Sequence, residues 1–217
     1  MHNFGMCLYN KDSEYVYVPI PKNASCFLQY NFEKTLGFRH DNFTNFKNLN
    51  DKKYIICLRD PIDRWFSGIS EYLHRYFIDP SVYHNPVTEN KYTEQDFFEL
   101  LDLRFVTKIF KEKIYDEHTS HQHEFMPDVS FDNMFFLNFN NAAQGNFSDF
   151  CTTVFKKDID NYAWKNATEG IPTKIKIMNR LNLYYVSNRK KLDNEFFEIY
   201  KKDYDLINSI TFYKTNK

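Results

Sequence analysis

The fold is decided by the stretch Glu14-Tyr-Val-Tyr-Val-Pro-Ile-Pro-Lys-Asn-Ala-Ser-Cys26 and the residues that follow it. Residues 14–20 are mainly β-branched and aromatic, and they end before Pro21 as a buried strand does. From residue 25 to about residue 36, apolar residues recur at steps of three and four, and Gly37 occupies a helix C-cap position. The stretch therefore predicts a strand, a tight turn and a helix.

The same pattern recurs further along the chain. Residues 54–58, Tyr-Ile-Ile-Cys-Leu, form a second apolar run of strand length, which Arg59 closes. Asp60 can cap a helix that has Pro61 at its first position, and apolar residues then recur at helical spacing. Two such units predict an α/β fold with a central parallel sheet flanked by helices. Ligands of such sheets bind at the carboxyl ends of the strands.

The rest of the chain predicts further elements of the same fold. We expect a surface loop over residues 76–93, a helix over 94–110, a third strand over 133–137 and a closing amphipathic helix over 195–210. A chain of 217 residues and 26.3 kDa is typical of one domain. The sequence thus predicts a single domain over residues 1–217.

Composition and charge exclude several classes of protein. Lys and Arg number 28 against 29 Asp and Glu, so no overall positive field exists and we expect no nucleic-acid partner. Apolar runs are too short to span a bilayer and no secretory leader pattern follows Met1, which predicts a cytoplasmic protein without a membrane span. Abundant Asn, Lys, Phe and Tyr with only five Gly is typical of AT-rich coding, and a small protein that is expected to be unsecreted favours a microbial or viral origin. The sequence leaves the oligomeric state open.

The turn at residues 21–26 carries the groups of an anion-binding site. A strand that ends in Pro21-Lys22 and re-enters a helix at Ser25-Cys26 directs backbone N–H groups, an ammonium and a hydroxyl to one point. No Walker pattern of glycines and lysine is present, which disfavours a standard nucleoside triphosphatase. The alternative is a Ser25-capped helix with a solvated Lys22, and the turn alone does not separate the two.

A second anion-binding corner is predicted where the second strand ends. Arg59 closes that strand, and Ser67 lies eight residues further, in the second turn of the following helix. A guanidinium and a hydroxyl at that corner can reach a phosphate held above the sheet edge. The alternative is a surface ion pair, Arg59–Asp63 or Arg64–Asp60, beside an ordinary helix serine.

The two corners resemble motifs of the sulfotransferases that use 3′-phosphoadenosine 5′-phosphosulfate (PAPS), especially their carbohydrate-modifying branch. Residues 18–26 resemble the 5′-phosphosulfate loop, commonly Pro-Lys-x-Gly-Thr-Thr, with Ala24 and Cys26 in place of the commoner Gly and Thr. Residues 58–67 are similar to the 3′-phosphate motif Arg-x-Pro-x-x-Arg-x-x-Ser. Two further stretches, 116–122 and 200–205, resemble that branch's Asp-x-His-x-x-x-Gln segment and its closing Tyr-x-x-Asp-Tyr helix.

This resemblance implies a P-loop-kinase-like sulfotransferase fold, PAPS as the sulfuryl donor and adenosine 3′,5′-bisphosphate as the product. It implies a hydroxyl acceptor, expected on a carbohydrate, and no metal. The cofactor-binding residues it implies are Lys22, Asn23, Ala24, Ser25 and Cys26 at the 5′ end, with Arg59 and Ser67 at the 3′-phosphate. Lys22 would lie near the bridging oxygen and assist departure of the bisphosphate.

The general base is expected to be a histidine. The family commonly places its base between the two cofactor motifs, where this chain has His40. An imidazole with a pKa of about 6.5 suits proton transfer at neutral pH, and Asp41 or another carboxylate could orient it. We therefore rank His40 first as the base and His118 as its rival on the acceptor side. The alternative is that His40 is a loop histidine without a role.

Three other functions are considered beside this one. A zinc site at His118, His121 and His123 fits neither the His-Glu-x-x-His pattern nor a Cys/His knuckle, so no metal site is predicted. A non-catalytic module that binds a nucleotide or a sulfated ligand is admitted by the departures at Ala24 and Cys26. A nucleotide kinase-like phosphotransferase shares the strand–loop–helix pattern but is disfavoured by the missing Walker glycines.

Overall fold

A computed structural model describes residues 6–46, 48–78, 94–99, 118–139, 146–159 and 171–213. These residues form an α/β structure that divides into two compact units. The first unit is drawn from Met1–Pro61, His121–Asn166 and Lys202–Lys217, and the second from Ile62–Ser120 and Ala167–Lys201. Whether the chain acts as the single domain expected from its length stays a prediction.

The first unit contains a five-stranded sheet. Its strands are β1 (Met6–Tyr9), β2 (Tyr15–Val18), β3 (Arg39–Asn42), β4 (Lys53–Leu58) and β5 (Met134–Asn138). They lie in the order β3-β1-β2-β4-β5, and β2, β4 and β5 are parallel, with Val18 level with Ile56 and Ile56 level with Phe136. The predicted strands at 14–20, 54–58 and 133–137 are therefore confirmed as β2, β4 and β5.

The prediction of a parallel sheet is wrong for two strands, because β1 pairs antiparallel with both β2 and β3. A tight turn closed by Ser13 N–H donating to Asn10 C=O (2.9 Å) joins β1 to β2, so no crossover helix separates them. β3 reads Arg-His-Asp-Asn and is half-exposed at the sheet edge, so it carries no apolar run that would mark it as a strand. The sheet is mixed.

Apolar side chains cover both faces of the sheet. The helices, in chain order, are α1 (Ser25–Tyr30), α2 (Pro61–Ile78), α3 (Glu94–Glu99), α4 (Asn146–Phe150), α5 (Pro172–Ser187), α6 (Arg189–Ile199) and α7 (Lys201–Ser209). On one face, Tyr17 and Ile55 pack with residues of α1, of α4 and of the π-helical segment Asn31–Thr35, whose Phe32 ring stacks on Tyr17 at 4.5 Å. On the other face, Val18 and Ile56 pack with residues of α7.

The described part of the second unit is mainly helical. Aromatic side chains join α2 to α6 and α5, since the Trp65 and Phe196 rings lie 5.0 Å apart and the Phe66 and Tyr185 rings 5.3 Å apart. Glu71 of α2 accepts a hydrogen bond from the buried ammonium of Lys174 of α5. A buried pair of this kind fixes how helices pack, because separating it leaves a desolvated charge.

The helix predictions have mixed outcomes. The predicted helix over 25–36 is α1 continued by Asn31–Thr35, whereas the one over 195–210 is two helices, α6 and α7, separated at Tyr200. Residues 79–93 of the predicted loop and 100–110 of the predicted helix lie outside the described residues.

Among the described residues, no helix has the length and apolar character needed to cross a membrane.

Candidate functional site

The first predicted corner is a four-residue turn between β2 and α1 with an unusual backbone. Lys22 and Ala24 have φ angles of 68° and 57°, in the left-handed region that favours glycine. Each costs a non-glycine residue about 1–2 kcal/mol relative to the right-handed region. The position of Ala24 is the one where the resembled loop commonly has Gly, so the conformation gives a physical reason for that preference.

The helix after this turn has no side-chain cap. Its N-cap residue is Ala24, which offers no hydrogen-bonding side chain, and Ser25 is already the first residue of α1. The alternative of a Ser25-capped helix is therefore wrong. Cys26 is exposed and follows directly, so the first turn of α1 has a hydroxyl at Ser25 and a thiol at Cys26 where the resembled loop has two hydroxyls.

The second predicted corner lies beside the first. Arg59 directly follows β4, and its Nη1 donates a hydrogen bond to the carbonyl oxygen of Lys22 at 3.3 Å. Its guanidinium lies over the ring of Phe139, 4.3 Å from the ring centroid. Because β2 and β4 are parallel neighbours, their carboxyl ends carry Lys22 and Arg59 to the same edge of the sheet.

A buried amide joins the two corners. Gln122 is fully buried, and its Oε1 accepts from the Arg59 backbone N–H (3.0 Å) and from Asn23 Nδ2 (2.6 Å). Its Nε2 donates to the Arg59 carbonyl at 2.8 Å. Asn23, also fully buried, donates to the Cys57 carbonyl at 2.8 Å. We call Asn23, Gln122 and the Arg59 backbone the amide clamp.

A carboxylate supports the clamp from the C-terminal helix. Asp203 of α7 is buried; its Oδ2 accepts from the Gln122 N–H at 2.8 Å, and its Oδ1 accepts from the His123 N–H at 3.0 Å. His123 Nδ1 lies 2.8 Å from the same Oδ1. The clamp and Asp203 therefore connect residues from all four stretches that carry the sulfotransferase resemblance.

In the second unit, residues 118–120 lie against α2. The guanidinium of Arg64 donates to the Ser120 carbonyl, and Arg64 is buried rather than on the surface. Tyr200 Oη donates to the Thr119 carbonyl at 2.5 Å. The absence of a side chain at Gly68 lets residue 118 lie close to α2, because a Cβ at Gly68 would lie 2.4 Å from the carbonyl oxygen of His118.

The predicted site residues are divided between the two units. Residues 22–26, His40 and Arg59 belong to the first unit, whereas Ser67 and His118 belong to the second. Ser67 is buried in α2, and its carbonyl accepts from Ser70 Oγ at 3.0 Å. A phosphate shared by Arg59 and Ser67 stays a prediction. Asp116, the first residue of the third resembled motif, lies outside the described residues.

His40 is part of an edge strand rather than a loop. It lies in β3, level with Leu8 of β1, and Leu8 is level with Tyr17 of β2. The imidazole is about half-exposed, and its Nε2 lies 2.6 Å from Glu33 Oε1. The carboxylate that orients it is therefore Glu33 rather than Asp41. Its role as the base stays a prediction.

Three residues that could hold a metal ion come together beside the clamp. One donor atom each from His121, His123 and Asp203 lies within 4.8 Å of the other two. Burial lowers the pKa of His121 below its usual value, which favours its neutral form. The spacing of the histidines in the sequence groups His121 and His123 with His118, because nothing in the sequence links them to Asp203.

Sequence reasoning missed two site residues, Gln122 of the clamp and its support Asp203. Gln122 and Asp203 belong to recognisable motif stretches, yet their contacts across the chain have no local signature. The one available signal is the resemblance of stretches 116–122 and 200–205, because both residues lie in polar segments whose composition does not predict buried partners. No family model, curated protein or solved structure matches the chain.

Proposed function

We propose that this protein is a PAPS-dependent sulfotransferase of the P-loop-kinase-like fold, with a carbohydrate hydroxyl as acceptor. The observation that carries the proposal is the hydrogen bond from Arg59 Nη1 to the Lys22 carbonyl at 3.3 Å. It joins the two corners whose sequences resemble the 5′-phosphosulfate loop and the 3′-phosphate motif. One nucleotide with a phosphate at each end could then span them, with Arg59 toward the 3′ end and residues 22–26 toward the 5′ end.

In this proposal the protein positions the donor and stabilises charge. The acceptor oxygen attacks sulfur in line as the bond from sulfur to the 5′-phosphate oxygen breaks, and the acceptor proton passes to a base. Lys22 would neutralise charge on the leaving bisphosphate, and losing one preorganised donor of this kind costs about 3–4 kcal/mol of barrier. By analogy with phosphoryl transfer, little covalent chemistry by the protein is required.

Two histidines remain candidates for the base. His40 has a carboxylate partner in Glu33, which could fix its ring orientation. The backbone carbonyl of His118 lies against Gly68 of α2. We keep His40 as the first candidate, with His118 on the acceptor side. Replacing the true base by Ala should lower the transfer rate by about 10²–10⁴-fold.

The test separates binding from transfer at the two corners. Lys22→Ala should nearly abolish labelled-sulfate transfer from PAPS while bisphosphate affinity changes by less than about tenfold. Arg59→Ala should chiefly weaken bisphosphate binding, measured by calorimetry. Lys11→Ala and Arg39→Ala remove exposed cations of the same types elsewhere in the first unit and should leave both measurements unchanged. Wild-type turnover in Lys22→Ala would refute the assigned role.

A non-catalytic binding module is the second candidate, and it is favoured by the residues at Ala24 and Cys26. Ala24 carries left-handed strain where the resembled loop has Gly, and an exposed thiol replaces a hydroxyl at Cys26. This candidate predicts tight bisphosphate binding with no transfer to any glycan in a panel. A kinase-like activity, the third candidate, predicts instead that ATP binds more tightly than the bisphosphate.

A further inference from the structure

Beside the amide clamp lies a compact group of metal-ligating side chains that sulfuryl transfer does not use. His121 and His123 flank Gln122 in sequence, and Asp203 approaches them from α7. The imidazole rings of the two histidines have centroids 5.2 Å apart, and the donor atoms of all three residues lie within 4.8 Å of one another. We call these three residues the His-His-Asp cluster.

We propose that the His-His-Asp cluster binds one divalent ion of the zinc class. Two imidazole nitrogens and one carboxylate oxygen are a donor set that suits Zn²⁺ and its first-row neighbours. Mg²⁺ and Ca²⁺ prefer oxygen ligands alone, so the cluster should discriminate against them. Three protein ligands leave a fourth position for water or an external ligand.

Asp203 is buried, unlike the surface carboxylates that often lie near a histidine without binding a metal ion. Its side chain is 1% exposed, and both carboxylate oxygens are fixed by backbone N–H groups, of Gln122 at 2.8 Å and His123 at 3.0 Å. His123 Nδ1 lies 2.8 Å from Asp203 Oδ1, so this imidazole and the carboxylate are already close enough to ligate one ion together.

The separation of the donors predicts the strength of the site. Ligands about 2.0–2.1 Å from a tetrahedral zinc ion lie about 3.3 Å from one another. Donor atoms that are up to 4.8 Å apart must therefore approach by as much as about 1.5 Å when the ion binds. Part of the binding free energy is spent on this movement, so we expect a dissociation constant in the micromolar range rather than that of a preformed structural site.

The experiment measures metal binding to the full chain, and its result does not depend on the proposed sulfuryl transfer. Chelator-treated protein is titrated with Zn²⁺ and, separately, with Mg²⁺ by calorimetry. We expect one Zn²⁺ per chain and no Mg²⁺ binding. His121→Gln and His123→Gln should each weaken Zn²⁺ binding at least tenfold. His40→Gln, the matched control, removes an imidazole that pairs with Glu33 outside the cluster and should bind Zn²⁺ as the wild type does.

Co²⁺ provides a second readout, because its visible absorption reports nitrogen and oxygen ligation directly. The absorption should appear in wild type and in His40→Gln, and should be lost in His121→Gln and His123→Gln. Equal Zn²⁺ affinity in wild type and both cluster variants would place the ion elsewhere and overturn the proposal, as would the absence of binding or equal binding of Mg²⁺. Asp203→Asn is omitted as a primary variant, because Asp203 also holds two backbone groups and its loss could unfold the chain.

Discussion

Gln122→Met provides the sharpest test of the amide clamp. Methionine has a similar length and packs well in cores, but it offers neither the strong acceptor nor the donor of the glutamine amide. The substitution therefore removes three hydrogen bonds: two to the Arg59 backbone, at 3.0 and 2.8 Å, and one from Asn23 Nδ2, at 2.6 Å. The backbone N–H of residue 122, which donates to Asp203, is retained.

The expected loss of stability follows from these contacts. Each intramolecular hydrogen bond contributes about 1 kcal/mol net, and a buried polar group left without a partner costs a further 1–3 kcal/mol or so. Asn23 is fully buried but keeps its bond to the Cys57 carbonyl, and the Arg59 backbone is only partly buried, so water can replace some of what is lost. The free energy of unfolding should fall by about 3–5 kcal/mol, out of a total of about 5–15 kcal/mol for a folded domain.

The assay is urea unfolding followed by circular dichroism. With an m-value of about 2 kcal/mol per molar urea, the midpoint should fall by about 2 M. Gln29→Met is the control, since Gln29 is a half-exposed residue of α1, and its midpoint should move by less than about 0.3 M. A shift in Gln122→Met no larger than that of the control would refute the argument that the clamp joins the corners.

Three further predictions concern single positions. Gly68→Ala should lower the free energy of unfolding by about 1–3 kcal/mol, and the melting temperature with it, because the added Cβ would lie 2.4 Å from the His118 carbonyl oxygen and the backbone there must shift. An unchanged melting temperature would contradict this contact. Ala24→Gly should raise the free energy of unfolding by about 0.5–1 kcal/mol in urea, since φ of 57° is unstrained for glycine; destabilisation would show that the turn is not left-handed in solution. Burial, and to a lesser extent the nearby Lys174 cation, lowers the pKa of His74 below its ordinary value of 6.5 in the folded chain. The unfolded chain therefore binds a proton at His74 more tightly than the folded chain does, and the free energy of unfolding should decrease as pH falls below about 6.5. His74→Gln should flatten that part of the pH–stability curve, and an equally steep curve would exclude His74 as its source.

The parallel core of the sheet was predictable because its strands are buried on both faces. β2, β4 and β5 read as short continuous apolar runs of strand length, a pattern that is typical of buried parallel strands. β3 was not predictable by the same rule, since it is a half-exposed edge strand with four polar residues. The strand β1 and its antiparallel pairing were not predicted for a related reason. A four-residue strand followed by a tight turn has too short a sequence pattern to be distinguished from a loop.

The candidate site was predictable to the extent that it depends on strand ends. Lys22 and Arg59 follow adjacent parallel strands, so topology alone brings their backbones together. Gln122 reaches the same place by contacting Arg59, which is 63 residues away in sequence. Asp203 reaches it by contacting Gln122, which is 81 residues away. Contacts of that separation depend on packing of the whole unit, and a single sequence carries no periodicity that encodes them.

The strained turn and the amide clamp are energetically linked. Lys22 and Ala24, with φ angles of 68° and 57°, together carry about 2–4 kcal/mol of backbone strain. Strain of that size persists only where surrounding contacts over-determine the conformation. Asn23 lies between the two residues, and its buried amide is fixed by the Cys57 carbonyl and by Gln122. The hydrogen bonds of the clamp contribute a free energy of the same magnitude as the strain, so they can hold the first corner in the conformation that contacts Arg59. Without the clamp, the turn would lose the contacts that maintain its left-handed backbone.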